Sequence, residues 1–263
     1  MNQEPLYKNK DWLEYQFVQL GKECRDIALE NNWTVRVVEK WCYEKYGINN
    51  NYRRDKYIPN KTQLQLIYGG LLGDGCISQR KDINFTQYIF TQNEKHKEYI
   101  EWIFDKLKNM CKHKELQYSS ISKTIFKTID GYKEYNKKPT YRISTRGYKF
   151  LKEIKNMSIN KIIDNIDELG LSVYFLDDGS KKKNLWNLCM GNLNIDEVNY
   201  FINKLNEFGI KHKRIDIRKN KNTNKEYIYL YFDVNNSYKI NTMIINNIPN
   251  NIDIVKKKVG DFK

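Results

Sequence analysis

The sequence is short of the residues that build metal cages and cross-linked scaffolds. Its five cysteines (Cys24, Cys42, Cys76, Cys111 and Cys189) form no CxxC pair and leave an odd total. That argues against a zinc site or a disulfide framework and fits a reducing compartment. The three histidines, His96, His113 and His212, lie far apart without metal-ligand spacing. There is no signal-peptide pattern and no apolar run of about 20 residues, so a soluble intracellular protein with no membrane partner is expected. A bacterial or phage cytoplasm or an organelle matrix would suit it. Acids are also in deficit. Lys and Arg number 46 against 32 Asp and Glu, a formal net charge of +14, and the basic residues are scattered rather than gathered in a tail. Such a field attracts phosphate polyanions, with nucleic acid the leading class. Disorder is excluded by a composition that is 40% hydrophobic and 14% aromatic, enough for sizeable cores.

The chain divides by pattern. Residues 1–47 read as a small helical domain in which "CRDIALENNWTVRVVEKW" gives a helix, a polar turn and Thr34 placed to cap a second helix. This resembles a helix-turn-helix whose second helix would lie in a major groove, with Arg36 and Lys40 among its outward readers. Residues 48–61, with Arg53, Arg54 and Pro59, read as a basic linker lying along a phosphate backbone.

An internal repeat follows, over 62–165 and 166–263. Each unit reads as apolar helix, acid-Gly, two strands, helix, two strands, helix. Asp178 lies 104 residues after Asp74, and the second KHK tripeptide lies 99 after the first. The drift is assigned to the longer "DGYKEYNKKPT" connection in the first unit. Strand alternation puts Arg142, Ser144 and Arg146 on one face of "YRISTR", and Arg214, Asp216 and Arg218 on one face of "KRIDIR". Each sheet then has an apolar back under helices and a basic front wide enough to follow a major groove.

Two apolar helices end on acids, in "LIYGGLLGDG" and "LSVYFLDDG". A buried carboxylate is costly unless something compensates it. If the repeats pack through these helices, Asp74 and Asp178 meet at the base of the seam and repel unless divalent ions lie between them. Mg²⁺, which takes oxygen ligands and bridges to phosphate, suits that place.

At these residues the chain resembles the LAGLIDADG homing endonucleases of the single-chain, two-motif kind, over about residues 60–260. The resemblance implies an α+β fold: two pseudo-symmetric αββαββα repeats packed through the motif helices into a DNA-binding β saddle, here preceded by the helical domain. It implies a monomer cutting both strands of a long asymmetric DNA site and leaving short 3′ overhangs. Two or three Mg²⁺ ions would serve, with Mn²⁺ as a substitute. Asp74 and Asp178 would be catalytic metal ligands, helped by the carbonyls of Gly73 and Asp177. Arg146, Lys258 and Gln92 are the candidates for ordering water and phosphate, with Lys256 and Lys257 as alternatives in the tail. Arg80, Arg142, Arg214 and Arg218 are expected on the DNA-binding face. The first motif carries small residues for close helix packing (Gly69, Gly70, Gly73), whereas the second has Val173, Tyr174 and Phe175. A lopsided contact is therefore expected, bulky side chains against glycines. Two readings compete on the same scaffold: a maturase that binds intron RNA, and a DNA-binding protein that no longer cuts.

Overall fold

The computed structural model describes the backbone of residues 4–80, 85–120, 122–128, 131–191, 193–219 and 226–260, and their side chains except at 80, 85, 122–128 and 131–137. In the N-terminal unit, α1 (Lys10–Glu14) continues as a π-helical turn over Tyr15–Gln19. Next come α2 (Cys24–Glu30) and α3 (Val35–Glu39), the latter continued by a π-helical turn over Lys40–Lys45. Leu13, Phe17, Ile27, Ala28, Val38 and Cys42 are buried between them. Asn32, at φ 54°, turns the chain between α2 and α3. Thr34 occupies the N-cap position of α3, but its hydroxyl makes no capping bond.

The segment expected as a linker contains a helix, α4 (Asn50–Lys56), capped by the Asn49 side chain. Arg53, expected on a phosphate backbone, is instead only 1% exposed. Its guanidinium stacks over the Phe17 ring and donates to Phe17 O (2.8 Å), Lys22 O (2.7 Å) and Glu23 Oε1 (2.9 Å). Arg146, expected beside the metals, reaches the same Glu23 Oε1 at 2.7 Å and also donates to Cys111 O. One carboxylate thus clamps two guanidiniums, one from the helical unit and one from the first repeat. Burial pushes the Glu23 carboxyl up, but Arg53 and Arg146 outweigh it and hold it below its ordinary value. Arg146 misses the sheet front because the strand carrying Arg142 and Ser144 ends at Ser144. It lines a cleft of about 1350 Å³ shared with Asn60 and Gln63, at the start of the first motif helix. The acid of that motif lies eleven residues further on, roughly 16 Å along a helix axis.

The first repeat begins with α5 (Lys61–Leu72), opened by a capping box between Asn60 and Gln63. It continues through β1 (Gly75–Arg80), β2 (Phe85–Asn93), α6 (Lys97–Leu107) and β3 (Gln117–Ser119). The long connection forms its own two-stranded sheet, β4 (Ser122–Thr128) with β5 (Gly131–Lys137), before β6 (Thr140–Ser144), α7 (Lys149–Lys155) and α8 (Ile159–Asp164). The second repeat runs α9 (Glu168–Asp178), β7 (Gly179–Lys182), β8 (Leu185–Cys189), α10 (Ile195–Glu207), β9 (Arg214–Lys219), β10 (Glu226–Tyr231), α11 (Val234–Asn247) and α12 (Asp253–Val259). The antiparallel sheets have matching orders, β1-β2-β6-β3 and β7-β8-β10-β9. Alternation sorts their faces: Tyr88, Phe90, Ile143, Trp186, Leu188, Ile228 and Leu230 are buried under the helices. Ile217, expected on that covered back, is 54% exposed, because β9 is an edge strand.

The repeats meet along α5 and α9. They meet glycine to glycine: a Cβ on Gly69 would stand 2.3 Å from Gly170 O. This corrects the expected packing of bulky side chains onto glycines, since the small residue of the second helix lies one position before the quoted motif. Tyr174 and Phe175 instead turn into their own repeat, against Phe201 and against Trp186 and Phe232. Gln65 braces the upper end of the seam, donating to Asn165 O at 2.8 Å and accepting from Asp167 N–H at 2.7 Å. Adding one methyl at the crossing must part the helices. Gly69→Ala should therefore cost about 1–3 kcal/mol of unfolding free energy, read from the midpoint of a urea titration.

Candidate active site

Both motif helices run straight into the first strand of their sheet, so the acid of each is held at the junction. α5 ends at Leu72, Gly73 caps it, and Asp74 immediately precedes β1. α9 continues through Asp178 and β7 begins at Gly179. With the helices in contact, the two feet lie side by side, as expected for Asp74 and Asp178.

Three carboxylates gather there rather than two. The Asp177 side chain crosses the seam and accepts from Asp74 N–H (3.2 Å), the Tyr99 hydroxyl (3.1 Å) and the Gln92 amide (3.3 Å). The same Gln92 amide donates to Asp74 Oδ2 at 2.6 Å. Gly73 and Asp177 occupy the same motif position, and each explains the other. A Cβ on Gly73 would stand 2.6 Å from Asp177 Cβ and Oδ2, so the missing side chain on one helix is the space filled by the other.

Asp74 is open to solvent on its outer side, while Asp177 and Asp178 are half-buried. Burial pushes the Asp178 carboxyl up to about 6, helped by the charge of Asp74 and opposed by Lys258. Burial likewise raises Asp74, against the Gln92 bond and Lys258. Asp177 is raised well above its usual value, by burial first and the charge of Asp74 second. Lys258 is the counter-charge: its ammonium donates to Leu176 O and, at 2.7 Å, to Gly179 O, closing the end of α9. Burial lowers its pKa, and the three acids oppose that.

The structure thus brings together Asp74, Asp177, Asp178, Gln92 and Lys258. It does not bring Arg146, which is held by Glu23. Among the described residues no group of three or more His, Cys, Asp and Glu side chains is arranged to hold a metal ion by itself. The donors that Asp74, Asp177 and Asp178 offer are hard carboxylate oxygens, crowded with like charge. That fits a divalent ion that completes its shell with water and phosphate, as Mg²⁺ does. Tyr99 escaped the sequence reading because a tyrosine on an apolar helix face looks like core, and its ring is indeed fully buried. His96 is lowered to about 4 by burial and by the charges of Lys95, Lys258 and Lys257, so it stands neutral.

The sheet fronts flank this cluster. Arg214 packs over the Tyr231 ring at 4.4 Å and Arg218 over Tyr229 at 4.9 Å, with Arg218 Nε also on Asp216 Oδ2 at 3.1 Å. These tyrosines were legible as one face of "YIYLY" but carried no charge to draw notice. In β6, Arg142 Nε donates to Ser144 Oγ at 3.1 Å. Arg36 and Lys40 are exposed on α3 and its extension, and Arg54 pairs with Asp55 at 3.2 Å. Arg80 ends β1, and its side chain lies outside the described residues.

A family model described as the LAGLIDADG DNA endonuclease family matches residues 64–240. The chain is 28% identical over 238 residues to the cytochrome b mRNA maturase bI2 of Saccharomyces cerevisiae, covering 83% of this chain and 53% of that protein. It is 30% identical over 148 residues to the protein of the same name from Debaryomyces hansenii, covering 53% of each. The chain therefore spans about half the length of the curated relatives it matches. A solved structure of the homing endonuclease I-WcaI bound to its DNA recognition sequence shares the fold, with a TM-score of 0.56 and 22% identity over 76% of this chain and 87% of that one. No helix among the described residues is long and apolar enough to cross a membrane.

Removing the Lys258 ammonium strands two carbonyls at the end of α9. Lys258→Met should lower stability by about 1–3 kcal/mol, measured by urea unfolding monitored by tryptophan fluorescence.

Proposed function

Because the chain belongs to the LAGLIDADG DNA endonuclease family, we propose that it is a site-specific homing endonuclease that breaks both strands of a long asymmetric DNA duplex, with Mg²⁺ as cofactor. The observation that carries this reading is the pair of helix feet, which bring Asp74 and Asp178 together between two arginine-bearing sheets. A protein that only bound DNA would gain nothing from carboxylates facing a phosphodiester. Asp74 and Asp178 would hold two or three Mg²⁺ ions, or Mn²⁺ in their place, with the carbonyls of Gly73 and Asp177. Such ions supply activated water and charge for the leaving oxygen.

The chain itself does the rest. Arg142, Arg214 and Arg218 meet phosphates and fix register, while strand side chains read base edges. The tyrosines under Arg214 and Arg218 restrict the guanidiniums, so less freedom is lost on binding. Gln92 fixes the Asp74 carboxylate, and Lys258 keeps a positive charge where phosphate charge would build up. Each foot serves one strand, leaving short 3′ overhangs. The helical unit, with Arg36 and Lys40 outward on α3 and its extension, lengthens the contacted site. A second reading, intron RNA binding as a maturase, is favoured by the similarity to the two yeast maturases. It is compatible with cleavage, since both acids are retained.

Selection from a library of long duplexes with Mg²⁺ tests the main reading, and a chain that cuts no duplex while binding its host intron RNA would favour the second. Asp74→Asn and Asp178→Asn should each abolish linearisation of a target plasmid while leaving binding in a gel shift nearly intact, because the acids oppose phosphate affinity. If α3 lies along DNA, Arg36→Ala with Lys40→Ala should reduce the slope of log affinity against log salt by about 2.

A further inference from the structure

The two feet are built from different parts. At the first foot, Asp74 is held by Gln92 and by the Asp177 carboxylate, which arrives from the other repeat. The reciprocal arrangement is sterically excluded, since position 73 is glycine and a Cβ there would collide with Asp177. The strand position matching Gln92 is also different. Gly75 pairs with Phe90 and Gly179 with Leu188, so the residue two beyond is Gln92 in the first sheet and Met190 in the second. Met190 is buried and has no amide to give. The second foot is closed instead by Lys258, on the carbonyls of Leu176 and Gly179.

We propose that Asp177 is a positioning residue for the first foot alone: its side chain holds Asp74 and Gln92 in place, so cutting of the strand served by Asp74 depends on it and cutting of the other strand does not. The inference rests on the endonuclease reading. Its physical basis is the three donors that converge on one carboxylate. The Asp74 backbone N–H fixes the turn that carries the acid. The Gln92 amide is shared between Asp177 and Asp74, and the buried Tyr99 hydroxyl anchors Asp177 to α6. Without Asp177, Asp74 N–H and the Tyr99 hydroxyl lose these acceptors, and Gln92 is free to turn away from Asp74.

The test uses the full chain and a supercoiled plasmid carrying the selected duplex, with nicks mapped separately on each strand. Asp74→Asn identifies the strand that Asp74 serves. Asp177→Ala should slow cutting of that strand by roughly a hundredfold, with the other little changed, so that nicked circles accumulate. Asp177→Asn, which can still accept from Tyr99, should recover part of the loss. Tyr99→Phe, which keeps the Asp177 charge but removes the hydroxyl that anchors it, should show a weaker bias toward the same strand and serves if Asp177→Ala fails to fold. Equal slowing of both strands, or loss of the strand served by Asp178, would overturn the proposal. A readout without DNA separates this from the endonuclease reading. In Asp177→Ala, the Asp74 backbone amide and the Gln92 side-chain amide should shift in ¹⁵N–¹H spectra of the free protein. Unmoved signals would also overturn the proposal. A wild-type chain that cuts no duplex, with those signals shifting, would sink the endonuclease reading and with it the strand-specific role, leaving only the contact.

Discussion

Backbone contact between α5 and α9 at Gly69 and Gly170 is the constraint on which the rest of the structure depends. Helices that cross at glycine approach more closely than side chains would permit, and both then turn into strands at their lower ends. The crossing therefore sets where the two sheets diverge and how near the two feet stand. Apolar residues fill the flanks, α9 burying Tyr174 and Phe175 in its own repeat. The seam itself is small residues, with the Gln65 brace at the top and the acids at the bottom.

That geometry forces like charges together, which an isolated domain would avoid. Three carboxylates around one ammonium are tolerated because two have specific donors, Gln92 for Asp74 and Tyr99 and the Asp74 backbone for Asp177, while the charge of Lys258 acts on Asp74, Asp177 and Asp178 alike. What the donors leave uncompensated appears as carboxyl groups shifted upward. A fold selected only for stability would place apolar groups here at lower cost. Under the endonuclease reading proposed above, the retained charge serves a site for cations and phosphate.

The helical unit is secured by a different electrostatic device, remote from the feet. Arg53 and Arg146 share Glu23, with Arg53 sandwiched against Phe17. These arginines are structural for a reason that composition hides. In a chain with 46 cationic residues, any arginine next to a turn or at a strand end looks available for phosphate. Only the neighbour that satisfies it shows otherwise, and Glu23 is 30 residues from Arg53 and 123 from Arg146.

Much of the fold was legible in the chain itself. Period-2 and period-3.6 patterns repeated at a near-constant offset define the αββαββα units, and the acid-Gly endings mark both feet. Asp74 and Asp178 could be named from the acid-Gly endings themselves, whereas Gln92 and Lys258, with Arg146, are candidates only through the family resemblance. Long-range contact decided the remainder. Which glycine faces which, that Asp177 crosses into the space left by Gly73, that Tyr99 lends its hydroxyl to the site, and that Arg53 and Arg146 are buried partners all depend on residues distant in sequence. Local pattern specifies which face of an element is apolar, but not what will stand opposite a given side chain. That is fixed only when the helices close to backbone contact and leave each side chain one place to go.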